Sequence, residues 1–153
     1  MDTDKNRGIP RTTHFLNVDL DIYSRSNLQP LVTALGKKVV VLHVGLDRRT
    51  FCAHLELARV TRSADSTIRG FCSLIQALPG TARDLWDSAR TRDFNIGVQA
   101  GTRPFSHEIA LAAETVKAAS EVSARIVFTV YAPEGLRQRV PDASLDSHAR
   151  TAS

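Results

Sequence analysis

The stretch KKVVVLHVGLDRRTFCAHLELA, residues 37–58, reads as a β-hairpin, with Val40, Leu42 and Val44 on one arm and Phe51, Ala53, Leu55 and Leu57 on the other. Setting Val44 opposite Phe51 centres the loop on Leu46 to Arg49. It also places Leu42 against Ala53 and Val40 against Leu55, so one face is wholly apolar. The other face then carries His43 opposite Cys52, Val41 opposite His54 and Val39 opposite Glu56, since residues two apart along a strand share a face. A slip of one residue would bury His54 with Glu56, which is costly without partners.

Outward from the hairpin, the periods alternate between sheet and helix. From Phe15 to Tyr23, Leu16, Val18, Leu20 and Ile22 alternate with Asn17, Asp19 and Asp21, the period of a strand with one buried face. Ser26 is expected to cap a short helix with Pro30 in its first turn, stopped by Gly36. After the hairpin, a helix begins near Asp65 with Ile68, Phe71, Cys72, Ile75 and Leu78 inward. Pro79-Gly80 ends it, and Thr81 with Asp84 suggests a fresh cap before Leu85, Trp86 and Ala89. Trp86 sits at core spacing rather than where a ligand would stack on it.

A strand follows at Phe94 to Ala100. Ser106 then offers a cap for a helix with Ile109, Ala112, Ala113 and Val116 inward and Glu108 in its first turn. The free amides of that helix start, beside Gly101 to Pro104 and His107, could hold an anion. The last strand is Arg125 to Tyr131, with Ile126, Phe128 and Val130 on one face. Residues 1–12 read as a flexible arm, 13–133 as a single αβ domain and 134–153 as a flexible tail.

The fold class expected is α+β: a ferredoxin-like core, β-α-β-β-α-β, extended by an α-β unit. All helices would lie on one face of a single mixed sheet of order 5-4-1-3-2, leaving an open face of mixed polar and apolar character. The segment from Leu20-Asp21-Ile22-Tyr23 through Asp84-Leu85-Trp86 and Arg92-Asp93-Phe94-Asn95-Ile96 to Val130-Tyr131 resembles an uncharacterised family of small bacterial αβ domains of unknown function. That resemblance spans most of residues 14–133, implies a fold and brings no catalytic signature.

At 153 residues the chain is long enough for one substantial core. Its 42% hydrophobic and 24% charged content is that of an ordinary globular chain. The net charge of +4 is spread along the sequence, with Arg far outnumbering Lys, so a solvated basic surface is expected rather than a nucleic-acid interface. The polar start and the absence of a long apolar run lead to an expectation of a cytoplasmic protein with no membrane partner. Two cysteines, Cys52 and Cys72, are expected to stay unpaired, one on each side of the sheet.

No Gly-rich phosphate loop, nucleophile elbow or zinc-finger spacing occurs, and no motif implies a cofactor. The open face gathers the residue types that carry chemistry: Asp19 and Asp21 on the first strand, His43 on the second, and Cys52, His54 and Glu56 on the third. His43, Cys52 and His54 are metal-ligand types, and His with Asp is an acid/base pair. The plainer reading is a hydrated face whose polar groups pair with one another.

Together these features favour a non-enzymatic protein-interaction module of an accessory or toxin-neutralising kind. Its expected contact residues are His43, Cys52, His54, Glu56, Asp19, Asp21, Tyr131 and the hairpin-tip Arg48 and Arg49. Phe15, Val39, Val41, Val127 and Tyr131 supply the apolar area for a protein partner or a homodimer. The alternatives are a small metal- or ligand-dependent enzyme on the same face and a ferredoxin-like regulatory domain for a small molecule.

Overall fold

The computed structural model describes residues 12–133; the expected arm and tail lie outside them except for Thr12, which bridges to Arg103. The elements run β1 (His14–Ser24), α1 (Gln29–Leu35), a 3-10 turn (Gly36–Lys38), β2 (Val39–Asp47), β3 (Thr50–Leu57), α2 (Ala64–Gln76), α3 (Gly80–Asp87), β4 (Thr91–Gln99), α4 (Ala113–Glu121) and β5 (Arg125–Tyr131). The protein is α+β, with one mixed five-stranded sheet ordered β2-β3-β1-β4-β5. That is 5-4-1-3-2 counted from the other edge. Every neighbouring pair is antiparallel except β4 and β5.

One core fills the space between the helices and one face of the sheet. Val18, Leu20, Ile22, Ala53, Leu55, Phe94 and Ile96 meet Leu31, Leu35, Ile68, Phe71, Ile75 and Trp86 there. Cross-strand pairing explains the coherence, since Leu20 lies opposite both Leu55 and Phe94. Phe71 stacks on Phe94 with ring centroids 5.9 Å apart. Trp86 is fully buried and its indole N–H donates to the Val122 carbonyl at 2.9 Å, so this large side chain buries no unpaired donor.

The hairpin departs from its expected register. Val44 pairs with Ala53 rather than Phe51, Leu46 faces Phe51, and the turn is only Arg48-Arg49, closed by the Asp47–Thr50 pair. Arg48 takes φ 58°, as the first central position of a primed two-residue turn requires. A bulge between Val41 and His43 then changes the parity of β2. Val39 and Val41 therefore share a face with Leu57 and Leu55, and Val40 moves to the open face opposite Glu56.

A second bulge, between Phe15 and Val18 of β1, puts Phe15 opposite Val98 and Val18 opposite Ile96, both toward the core. Leu16, expected inside, is exposed instead. Gly97 accommodates this irregularity, because a Cβ there would come within 3.3 Å of Asn17 Oδ1 and 3.6 Å of Leu16 Cβ. Phe15, Val39 and Val41 are thus not part of the open face, contrary to expectation.

Helix starts are set less by local caps than the sequence suggests. Ser63 caps α2 as a Ser should, accepting from the Ser66 amide. At α1, however, Asn27 rather than Ser26 receives the Gln29 amide, and α3 starts after Pro79 with no side-chain cap from Thr81. The helix expected from Ser106 begins only at Ala113. Its first amides are met from a distance, with Asp65 of α2 accepting from the Ala112 amide at 2.8 Å. Thr115 and Ala119 turn inward, and Val116 is exposed.

Candidate functional site

The open face is built from alternate residues of the strands. Asn17, Asp19, Asp21 and Tyr23 of β1 lie between Cys52, His54 and Glu56 of β3 and Asp93, Asn95, Gly97 and Gln99 of β4. Arg125, Val127, Thr129 and Tyr131 of β5 continue the face. On the far side, His43 of β2 sits directly opposite His54 rather than Cys52.

Its carboxylates and amides bond to one another along and across the strands. His54 Nδ1 meets Asp21 Oδ1 at 2.7 Å, and Asn95 donates to Asp21 Oδ2 at 3.2 Å. Thr129 donates to Asn95 at 2.7 Å, and the His43 and His54 ring centroids stand 6.0 Å apart. A connected series of contacts therefore crosses all five strands, from His43 on one edge to Thr129 on the other. Beside it, Asn17 donates to Asp19 at 3.0 Å and to Glu56 at 2.6 Å, and Arg125 makes a two-pronged contact with Asp93 at 2.7 Å for each bond. Tyr23 packs edge-on to His54 at 5.7 Å.

Electrostatics separate these carboxylates. Burial, with Asp21 and Glu56 nearby, pushes Asp19 up to about 6, despite some relief from His54 and Asn17. Burial also raises the Tyr23 hydroxyl above its ordinary range, and Asp21 adds to it. Cys52 is 1% exposed, and burial, with Asp47 and Asp21 adding, raises its thiol, so it does not offer the thiolate that ligation or nucleophilic attack needs.

The structure brings Asp19, Asp21, His54, Glu56 and Cys52 onto one face, and it sets His43 beside His54 where the sequence pattern predicts Val41. It does not assemble the metal set His43, Cys52 and His54. Gly45 stands opposite Cys52, Asp21 occupies one nitrogen of His54, and among the described residues no three such groups are arranged to hold a metal. Arg48 and Arg49 lie apart, exposed at the hairpin tip, while Tyr131 ends the face at β5. The anion site expected at Ser106 and His107 has no helix start behind it.

Both cysteines are buried and unpaired. Asn17, Tyr23, Asp93, Asn95, Arg125 and Thr129 were not among the expected contact residues. Their signal was the strand alternation that places them in line with Asp19 and Asp21.

Comparison of the chain with protein-family models, curated proteins and solved structures finds no match. Among the described residues, no helix is long and apolar enough to cross a membrane.

Proposed function

We propose that this protein is a cytoplasmic, non-enzymatic interaction module that docks through its open sheet face, with a second copy of itself as the partner. The observation that carries the reading is the hydrogen-bond network across the sheet. A face whose carboxylates already have partners, Asp21 with His54 and Asn95 and both Asp19 and Glu56 with Asn17, is covered at a lower penalty than one whose charges have none.

Charge and apolar area support the same reading. The acidic centre, Asp19, Asp21 and Glu56, lies apart from the exposed Arg48 and Arg49 at the hairpin tip, and a two-fold arrangement can bring the tip of one copy to the acidic centre of the other. Exposed Leu16, Val40 and Tyr131 border the polar strip. The ferredoxin-like core belongs to this proposal, supported by the antiparallel arrangement of the first four strands.

Light scattering across protein concentration tests the reading. A dimer is expected for the parent chain, and Val40→Glu, at an already exposed position, is expected to shift it to a monomer that keeps the parent's far-UV circular dichroism. A parent chain that stays monomeric at high concentration contradicts the proposal.

A second reading has a specific observation in its favour: the Asp21–His54 contact at 2.7 Å beside a carboxyl pushed up to about 6 is the arrangement acid–base catalysis uses. Under it, His54→Ala keeps Tm and loses turnover. Under the interaction reading the same variant loses Tm.

A further inference from the structure

We infer that the hollow between the end of β3 and α2 binds an anionic amphiphile, a small molecule with an apolar body and a single carboxylate-like head. The hollow measures about 510 Å³ and is bordered by Lys37, Lys38 and Arg59, with Leu57, Gly70 and Leu74 beneath them. Small-molecule sites typically occupy roughly 300–1,000 Å³, with an apolar lining and a few convergent polar groups.

Two features make this a shaped site. Gly70 lies inside α2, where glycine is less favourable than alanine. A Cβ there would stand 2.7 Å from Leu57 Cδ2 and 3.4 Å from Arg59 Nη2, so the bare helix backbone lets both side chains lie against it. The second feature is the charge. Lys37 and Lys38 come from the 3-10 turn, and the Lys38 carbonyl accepts from the Ala58 amide at 3.0 Å, which ties that turn to the strand end carrying Arg59. Among the described residues none of the three cations has a carboxylate partner.

Lys37, Lys38 and Arg59 all border the apolar floor, so an anionic head seated there meets positive charge with no carboxylate of the described residues competing for it. The apolar body would rest on Leu57 and Leu74 while the head meets the cations. This site is independent of the open face, because Leu57 pairs with Val39 on the opposite side of β3 from His54 and Glu56.

The test is fluorescence titration of the full chain with 8-anilinonaphthalene-1-sulfonate, which joins an apolar ring system to one anionic head. The parent should bind saturably, with octanoate competing and both octanol and inorganic phosphate failing to compete. Lys37→Glu with Lys38→Glu should weaken binding by roughly tenfold or more, equivalent to about 1.4 kcal/mol. Ser73→Trp, at an exposed position on the rim, should abolish binding by filling the hollow, and Arg59→Gln should weaken it severalfold at unchanged Tm.

Variants that titrate like the parent overturn the inference. So does octanol competing as well as octanoate, which would leave only an apolar patch, or phosphate competing alone, which would leave only an anion site. Binding to phosphatidylglycerol vesicles that the double variant loses, without octanoate competition, would assign the cations to a lipid surface and equally overturn it.

Discussion

Leu20 and Asp21 are neighbours on β1, yet they belong to two different kinds of structure. Leu20 is enclosed between Leu55 and Phe94 beneath the helices, where burial removes apolar surface from water at about 25 cal/mol per Å². Asp21 points the other way, to His54 and Asn95, where each bond replaces one to water and contributes only about 1–3 kcal/mol net. The covered face thus supplies stability. The open face supplies a fixed, hydrogen-bonded pattern of charge.

The largest expected effect lies on the covered face. Trp86→Ala removes a fully buried indole together with its bond to Val122, and should cost about 3–5 kcal/mol in denaturant unfolding. A cost below about 1 kcal/mol would place Trp86 outside the core and break the contrast between the faces.

On the open face, His54→Ala leaves Asp21 without its imidazole partner. A loss of roughly 1–3 kcal/mol is expected, smaller than for Trp86 yet larger than an exposed strand position gives. Unchanged stability would shift the balance toward the acid–base reading.

Asp19 sharpens the comparison through pH. Its folded value, about 6, lies above the ordinary 3.8, so the folded state holds its proton more tightly than the unfolded state does. The contribution of this group is therefore favourable below about pH 4 and is lost as pH rises through about 6. Asp19→Asn should differ little from the parent near pH 4 and be more stable near pH 7, by about 1 kcal/mol or less, because Asp19 remains partly solvated. A variant whose advantage does not grow with pH would mean the carboxylates are fully screened.

The same contrast explains what the sequence could and could not reveal. Strict alternation from Val18 to Tyr23 marks both faces of β1 and brings Asp19 and Asp21 into view, as the alternation of Phe51 to Leu57 on β3 does for His54. The run Val39-Val40-Val41-Leu42 has no alternation, so nothing in it says where the strand changes parity: the two-residue turn shifts the pairing by two residues from His43 to Asp47, and the bulge brings it back to a shift of one from Val39 to Val41. Phe15-Leu16 hides the β1 bulge for the same reason. At α4 the start is fixed by Asp65, distant in sequence from Ala112, whereas Ser106 and Glu108 offered a local start that tertiary structure did not use.

The covered face also has an uncovered margin. Phe128 and Val130 of β5 share the face of Ile96 and Val98, yet remain 54% and 65% exposed, because α4 presents Thr115 and Ala119 to the interior and leaves Val116 outside. That patch is the direct rival to the open face as a contact surface. Methyl NMR spectra recorded on dilution decide between them, with Val40 and Val127 reporting on the open face and Val130 on the margin. The account predicts concentration-dependent shifts at Val40 and Val127 with Val130 unmoved; shifts confined to Val130, or none at any concentration, would contradict it.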